Sequence, residues 1–195
     1  MHVKELNEAI RIYGRGIGKD IVKVDMFLNH RIDTGLLFRM GEELAAHFRR
    51  QRPTMVLTVE ASGIPLATAA AHALGDIPLV FAKKASASNQ SADQMATAPV
   101  HSYTHNTDNL IRVDRRFIPI GSRVLIVDDF LANGNAVRGL TQIVEQLGGK
   151  VCGIGIGIEK GFQPGGEELR KAGFDLLSLA IVKEIRDGDI VLEDD

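Results

Sequence analysis

The sequence contains four nearly continuous apolar runs, and the segments between them show helical periodicity. Runs of this kind are typical of strands that are buried on both faces of a parallel sheet. Strands that alternate with helices along a chain predict one α/β domain with a mainly parallel central sheet flanked by helices. The chain has 195 residues, which is enough for one such domain. The apolar runs cover residues 55–59, 78–82, 124–127 and 151–158.

Five helices are predicted from capping residues and from the spacing of apolar side chains. Asp33 is a typical N-cap for a helix that ends near Phe48, and Gly75 stops an alanine-rich helix. The predicted helices cover residues 3–13, 34–48, 64–74, 137–147 and 166–172. Residues 1–32 and 160–195 are expected to form a small hood, or cap, beside the sheet.

The segment 83–109 differs from the rest of the chain. It is polar, rich in Ser, Ala and Asn, and has no sustained period. So long an irregular segment inside a compact domain is typical of a functional lid or of disorder. We expect a flexible lid here, followed by a hairpin or two short strands over 110–113 (LIRV) and 115–120 (RRFIPI).

Composition argues against several classes of partner. The chain has 25 acidic and 23 basic residues, so it lacks the basic excess with which proteins bind nucleic acid. Its single cysteine, Cys152, excludes an intrachain disulfide. No segment approaches the roughly 20 consecutive apolar residues of a membrane-spanning helix, and the N-terminus lacks the apolar core of a signal peptide. We therefore expect a cytoplasmic protein without a membrane or nucleic-acid partner.

Two acids, Asp128 and Asp129, end the third apolar run, and the small residues 132–136 (ANGNA) follow them. Ligands of open α/β sheets bind beyond the carboxyl ends of the strands. Small residues let the backbone wrap around a phosphate, whose charge meets N–H groups at the start of a helix. Two carboxylates can accept hydrogen bonds from the vicinal hydroxyls of a ribose. The pattern favours a phosphorylated-sugar site over the alternative, an acidic turn before a capped helix.

The run VLIVDDFLANGNA resembles the signature with which type I phosphoribosyltransferases bind phosphoribosyl pyrophosphate (PRPP). Further blocks, KVDMFLNHRID, VEASGIPLA and GIEKGFQPG, resemble the bacterial xanthine phosphoribosyltransferases. The similarity covers essentially the whole chain. The blocks KVDMFLNHRID and GIEKGFQPG are particular to that family. The four blocks lie at 124–136, 23–33, 59–67 and 157–165.

The resemblance implies the type I phosphoribosyltransferase fold and three sets of PRPP-binding residues. An acid pair contacts the ribose hydroxyls, and the backbone of the small-residue loop holds the 5′-phosphate. These residues are Asp128, Asp129, Ala132, Asn133, Gly134, Asn135 and Ala136. A turn after the first strand is the pyrophosphate loop, formed by Glu60, Ala61, Ser62 and Gly63. At the start of the lid, Lys83 and Lys84 either contact the pyrophosphate or are solvated.

The same resemblance implies a xanthine site formed by Val22, Asn29, Lys160 and Phe162. The Asn29 amide both donates and accepts hydrogen bonds, as the edge of a purine requires. Phe162 either covers the face of the base or belongs to the core. Ala132 occurs where the hypoxanthine-guanine enzymes have an acidic residue, so the general base is unassigned.

The implied reaction transfers the phosphoribosyl group of PRPP to xanthine, giving xanthosine 5′-monophosphate (XMP) and pyrophosphate in purine salvage. The Mg²⁺ ion expected for this reaction is held by substrate and water, not by the protein alone. The family also implies a homodimer. The alternatives are a guanine or adenine phosphoribosyltransferase, or a regulator that senses PRPP without catalysis. About 20 residues precede Ile21, fewer than the winged-helix module expected of such a regulator.

Overall fold

The computed structural model describes residues 4–84, 94–102 and 107–193, with only the backbone given for 101, 102 and 107–109. The helices are α1 (Lys4–Tyr13), α2 (Thr34–Phe48), α3 (Gly63–Ala73), α4 (Asn135–Gln146) and α5 (Gly165–Lys171). The strands are β1 (Arg15–Ile17), β2 (Ile21–Lys23), β3 (Met55–Val59), β4 (Leu79–Lys84), β5 (Met95–Ser102), β6 (Thr107–Asp114), β7 (Arg123–Leu131), β8 (Lys150–Lys160), β9 (Leu176–Arg186) and β10 (Asp189–Leu192). Among the described helices, none has both the length and the apolar character needed to cross a membrane.

The central sheet has the strand order β10-β9-β8-β7-β3-β4-β6-β5. Its five middle strands, from β9 to β4, pair in parallel. Antiparallel strands complete both edges, β10 on one side and the β6–β5 hairpin on the other. The predicted α/β domain with a mainly parallel sheet is therefore confirmed. Short β1 and β2 form a separate antiparallel ribbon.

Alternate residues of the middle strands are buried against opposite helical layers. Val56 and Val127 belong to the buried cluster that includes α2, α3 and the N-terminal elements. Leu57 and Ile126 belong to the cluster that includes α4 and the β5–β6 hairpin. All four side chains are fully buried. Burial on both faces is the physical reason why these strands are almost continuously apolar.

Helix α2 lies close to the sheet because alternate residues of β8 are glycines. A Cβ atom on Gly155 would lie 2.9 Å from a methyl carbon of Leu44, and one on Gly153 would lie 2.5 Å from the ring of Phe48. Larger residues at these positions would push the helix away from the sheet. The predicted N-cap of α2 is confirmed, since Asp33 accepts a hydrogen bond of 3.0 Å from the Leu36 N–H.

The N-terminal elements pack against the last two strands of the chain. The N–H of Gly16 in β1 donates to the carbonyl of Gly188, which lies between β9 and β10, at 2.9 Å. Leu6 and Ile10 of α1 are buried in the same cluster as Ile190 of β10. The two segments predicted to form a hood are therefore neighbours. Their role in covering a base stays a prediction.

The segment predicted to be an irregular lid contains regular structure. Residues 95–102 form β5, which pairs with β6 over its whole length, so the irregular assignment is wrong there. Ala96 and Ala98 alternate into the core beside α4. Alanine is depleted in strands, so this alternation gives a weak strand signal in the sequence. The first two residues of the predicted lid belong to β4 and residues 107–109 belong to β6, whereas residues 85–93 and 103–106 lie outside the described residues.

The strand predicted over 115–120 is also wrong. Arg115–Phe117 form a short 3-10 turn instead. Asp114 caps this turn by accepting hydrogen bonds from the Arg116 N–H at 2.9 Å and from its guanidinium at 2.8 Å. These hydrogen bonds lower the pKa of Asp114 to about 2. A local capping interaction thus overrides the β-forming tendency of the residues that follow.

Candidate active site

The carboxyl ends of four strands meet at one edge of the sheet. β8, β7, β3 and β4 are parallel neighbours in that order, so their last residues point in the same direction. The loop 60–63 follows β3, the loop 132–134 follows β7, and Lys160 ends β8. The fold therefore brings together the three polar strand ends that the sequence singled out.

The acid pair is buried at this edge. Asp128 and Asp129 are each only 5% exposed. The Asp129 N–H donates to Asp128 Oδ1 at 3.0 Å, and the Ser62 hydroxyl donates to Asp129 Oδ1 at 3.0 Å. β7 continues beyond the pair, where Leu131 pairs with Glu159, so the acids lie within the strand and not at its end as predicted.

The surroundings of Asp128 favour its neutral form. Burial raises the pKa of Asp128 well above its usual value, and the charge of Asp129 raises it further. The positive charge of Lys84 acts in the opposite direction. Donors from a bound sugar would stabilise the ionised carboxylate, so this site is well suited to a ligand rich in hydroxyl groups.

The predicted pyrophosphate loop, Glu60–Gly63, lies directly against the acid pair. A Cβ atom on Gly63 would lie 2.5 Å from Asp128 Oδ1, and it would be closer still to the hydroxyl of Thr58. Only glycine permits this approach without a shift of the loop. At its other end the loop is tied to β4, because Glu60 accepts a hydrogen bond of 2.7 Å from the Lys84 N–H. The Glu60–Ala61 peptide bond is cis.

The two lysines at the end of β4 face opposite ways, as successive residues of a strand do. Lys84 is close enough to Asp128 to lower the pKa of that carboxyl. Lys83 instead lies beside the exposed ring of Phe81, with 6.0 Å between Nζ and the ring centroid. The structure thus brings Lys84 to the acid pair and places Lys83 on the other face.

The small-residue loop is shaped to expose backbone N–H groups. Gly134 has a left-handed backbone (φ +79°) and precedes Asn135, the first residue of α4. The first intrahelical hydrogen bond is donated by the Arg138 N–H to the Gly134 carbonyl at 2.9 Å. The N–H groups of a first helical turn have no acceptor within the helix and can bind an anion. The predicted residues 132–136 therefore include the start of α4, and their binding of a phosphate stays a prediction.

Three of the four residues predicted to bind a base surround the end of β8. Lys160 Nζ donates to the Asp20 carbonyl at 2.7 Å and lies 5.9 Å from the centre of the Phe130 ring. Burial lowers the pKa of Lys160, an effect that the Asp20 carboxylate opposes. Val22 is buried in the core cluster, and the half-buried Phe130 and Phe162 pack against that cluster.

The fourth predicted residue, Asn29, is exposed in the turns between β2 and α2. Its neighbour Leu28 is buried in the same cluster as Val22. Asn29 therefore belongs to the same N-terminal unit as Val22. Its contact with a base stays a prediction.

Sequence reasoning missed several residues that contact the predicted site. Thr58 is fully buried beneath the pyrophosphate loop, and its hydroxyl has no hydrogen-bond partner within the described parts of the chain. Gly165 contacts the phosphate loop, and its N–H donates to the Ala132 carbonyl at 3.1 Å. The single polar residue in the run MVLTV and the paired glycines after Pro164 were the available signals.

A buried acid pair and two adjoining loops at the end of a mainly parallel sheet define a class of protein that binds a phosphorylated sugar. Residues 33–172 match the family model for the phosphoribosyl transferase domain. The chain belongs to the phosphoribosyltransferase family.

Relatives and a solved structure support this placement. The chain is 47% identical over 183 residues to the xanthine phosphoribosyltransferase of Bifidobacterium longum subsp. infantis, with 94% of each chain covered. It is 47% identical over 188 residues to that of Geobacillus thermodenitrificans, with 96% of each covered. The predicted resemblance to the bacterial xanthine phosphoribosyltransferases is thereby confirmed. The adenine phosphoribosyltransferase structure from Rhodothermus marinus shares the fold, with a TM-score of 0.73, 24% identity, and 92% of this chain and 99% of that chain covered.

Proposed function

We propose that this enzyme transfers the 5-phosphoribosyl group of PRPP to xanthine, producing XMP and pyrophosphate. The observation that carries the proposal is the meeting of the acid pair Asp128–Asp129 with the loops 60–63 and 132–136 at one sheet edge. Its relatives carry the name xanthine phosphoribosyltransferase over nearly their whole length. This agreement favours xanthine over the guanine and adenine alternatives.

PRPP fits the site along the edge of the sheet. Asp128 and Asp129 accept hydrogen bonds from the two ribose hydroxyls, and the N–H groups at the start of α4 bind the 5′-phosphate. The backbone of the loop 60–63 and the ammonium of Lys84 bind the pyrophosphate. These assignments place the anomeric carbon between the pyrophosphate loop and the end of β8.

The chemical step breaks the bond from the anomeric carbon to pyrophosphate and forms a bond to a purine nitrogen. Positive charge builds on the ribose ring as pyrophosphate leaves, so the protein acts by alignment and electrostatic stabilisation. Asp128 and Asp129 supply carboxylate oxygens, a ligand type that Mg²⁺ accepts, so the site fits an ion held mainly by substrate oxygens. When bound, this ion would neutralise charge on the leaving group.

Xanthine is a comparatively acidic purine and can react partly as its anion. The Lys160 ammonium, at the end of β8, favours that anion electrostatically and reduces the need for a general base. Val22 and Phe162 supply apolar surface for the base, and the Asn29 amide supplies both a donor and an acceptor. The hood would then select the base while the sheet edge binds PRPP.

A steady-state assay with xanthine, guanine, hypoxanthine and adenine, each with PRPP and Mg²⁺, tests the proposal. We expect kcat/KM for xanthine to exceed each other value by at least about tenfold, the effect of one mismatched hydrogen bond. Comparable turnover of guanine would overturn the assignment to xanthine. PRPP binding without turnover of any base would favour the regulator instead.

Replacing Lys160 tests its role toward the base. Lys160→Met should raise the KM for xanthine about 10- to 100-fold, because a hydrogen bond from a charged group contributes about 1.5–3 kcal/mol. The KM for PRPP should change much less. Lys150→Met is the matched control, since Lys150 is exposed at the opposite end of the same strand. Equal losses for both substrates would contradict the assignment.

Three further predictions accompany this function. Closure of a lid over the bound substrates, which would exclude the water that otherwise hydrolyses PRPP, stays a prediction for the part of the segment 83–109 outside the sheet strands. The enzyme is expected to be a homodimer. We also expect it to act in the cytoplasm.

A further inference from the structure

The short helix α5 lies between the end of β8 and the phosphate loop. Its first residue, Gly165, contacts the loop with backbone alone, and its N–H donates to the Ala132 carbonyl at 3.1 Å. A Cβ atom on Gly165 would lie 2.6 Å from the backbone N of Gly134 and 2.7 Å from the carbonyl carbon of Asn133. The position of α5 therefore determines how much room the phosphate loop has.

An ion pair between a buried carboxylate and a partly exposed arginine fixes α5 to the sheet. Glu159 of β8 is 3% exposed, and Arg170 of α5 donates to both of its carboxylate oxygens, at 2.8 and 2.7 Å. The Ser178 hydroxyl donates to the same carboxylate. A Cβ atom on Gly166 would overlap Glu159 Oε1. A bidentate pair of this kind sets orientation as well as distance.

A second contact joins α5 to the phosphate loop. Arg138, in the first turn of α4, donates to the Asn133 carbonyl of the loop and also pairs with Glu168 of α5. The loop is therefore held from two sides by residues that have no direct part in binding a sugar phosphate. Both side chains of the Arg138–Glu168 pair are exposed, whereas the Glu159 carboxylate is buried. The Glu159–Arg170 pair is therefore the stronger constraint.

Glu159 and its neighbour Lys160 are successive residues of one strand and point to opposite faces of the sheet. Lys160 contacts Asp20 in the N-terminal unit, and Glu159 contacts α5 on the other side. A change in the Glu159 pair is therefore transmitted first to α5 and the phosphate loop, whereas it reaches Lys160 only through the backbone. This separation makes the effect of the pair on each substrate measurable by itself.

We propose that Arg170 is a positioning residue for the 5′-phosphate of PRPP: by pairing with Glu159 it holds Gly165 against the loop 132–134 and keeps that loop in its binding shape. The inference rests on the proposed function, in which this loop binds the 5′-phosphate. Arg170 does not contact the phosphate itself. Its contribution lies in forming the loop before the ligand arrives, which lowers the cost of binding.

Arg170→Met tests the inference through the separate affinities for the two substrates. The KM for PRPP and the dissociation constant for ribose 5-phosphate should both rise about 10- to 100-fold, the scale expected when a hydrogen bond to the charged phosphate is lost. The KM for xanthine should stay within about twofold, as expected for sites that do not share contacts. Arg170→Lys, which keeps the charge but loses the bidentate geometry, should fall between Arg170→Met and the wild type.

Two further variants separate positioning from the cost of leaving a buried carboxylate unpaired. Glu159→Gln/Arg170→Met removes both charges and should recover much of the thermal stability lost in Arg170→Met, yet it should still bind ribose 5-phosphate weakly. Lys171→Met is the matched control, because Lys171 pairs with Glu167 along the same helix, and both side chains are exposed. It should behave as wild type.

The outcomes distinguish the inference from the function on which it rests. If wild-type protein binds PRPP and ribose 5-phosphate, and a folded Arg170→Met variant binds both equally well, the inference is wrong and the function stands. If wild-type protein binds neither, the assigned function itself fails. Equal losses for xanthine and PRPP would also overturn the inference, since they would indicate a general loss of structure.

Discussion

Asp128→Asn should lower kcat/KM for PRPP on the order of 100-fold while making the protein more resistant to heat. The activity falls because the carboxylate accepts a ribose hydrogen bond worth about 1.5–3 kcal/mol when charged, whereas an amide presents one acceptor and one donor. Stability rises because Asp128 is buried beside Asp129 and its charge is disfavoured there. An amide oxygen can still accept the hydrogen bond from the Asp129 N–H. Such an exchange of stability for function is common at active sites.

The gain in stability should depend on pH with a definite sign. The pKa of Asp128 is raised in the folded protein above the usual value of 3.8, so the folded state binds the proton more tightly than the unfolded state does. Ionisation of Asp128 therefore lowers the free energy of unfolding of the wild-type protein as the pH rises above about 4. The variant has no such loss. The difference in Tm should be near zero at pH 4 and should grow in favour of the variant as the pH rises toward 8.

Calorimetry across this pH range, together with PRPP kinetics, checks the prediction. Asp189→Asn is the matched control, because it makes the same chemical change at an exposed position at the start of β10. It should leave both activity and the pH dependence of Tm unchanged. A Tm difference for Asp128→Asn that grows toward low pH would contradict the assigned shift. Wild-type turnover by the variant would remove Asp128 from the ribose site.

The parts of the fold that the sequence predicted are those with strong local signals. The strand β3 and the helix α2 have uninterrupted apolar patterns, and Asp33 caps α2 as predicted. β5 was missed because its core-facing residues, Ala96 and Ala98, are small and favour strands only in the context of α4. The absence of a side chain at Gly139 of α4 lets Val100 of β5 and Ile111 of β6 pack closely against that helix. No local pattern encodes such a contact between distant segments.

The difference between local sequence signals and contacts of distant segments also applies to the candidate site. The acid pair, the loop 132–136 and the turn 60–63 each occupy one short stretch of chain, so a sequence can display them. Arg170 is 11 residues from Glu159 and is proposed to act through it. Thr58 belongs to β3 and lies beneath the loop that follows this strand. The division of Lys83 and Lys84 between two faces likewise depends on where β4 ends. Residues that support the site through other residues can therefore be recognised only in the folded structure.

Gly63→Ala should lower kcat/KM for PRPP about 100-fold with little change in the KM for xanthine. The added methyl group would overlap the Thr58 hydroxyl and lie 2.5 Å from Asp128 Oδ1. Both neighbours are buried, and the β-branched Thr58 has little freedom to turn aside. The pyrophosphate loop must therefore move, and a displacement of the order of 1 Å at a reacting group costs about 100-fold. Steady-state kinetics with PRPP as the varied substrate measure the effect.

A second substitution shows whether overlap is the cause. Thr58→Ala alone should be mild, since it removes a hydroxyl that is buried without a hydrogen-bond partner among the described residues. In the Gly63→Ala background it removes one of the two overlaps, so the double variant should recover part of the lost activity. Gly35→Ala is the control: it lies in the first turn of α2, where a Cβ atom would lie 3.3 Å from the flexible end of Arg39 and at an ordinary contact distance of 3.5 Å from Asp33 Oδ1. Additive losses in the double variant would show that the loop fails for a reason other than its contact with Thr58, because independent effects add.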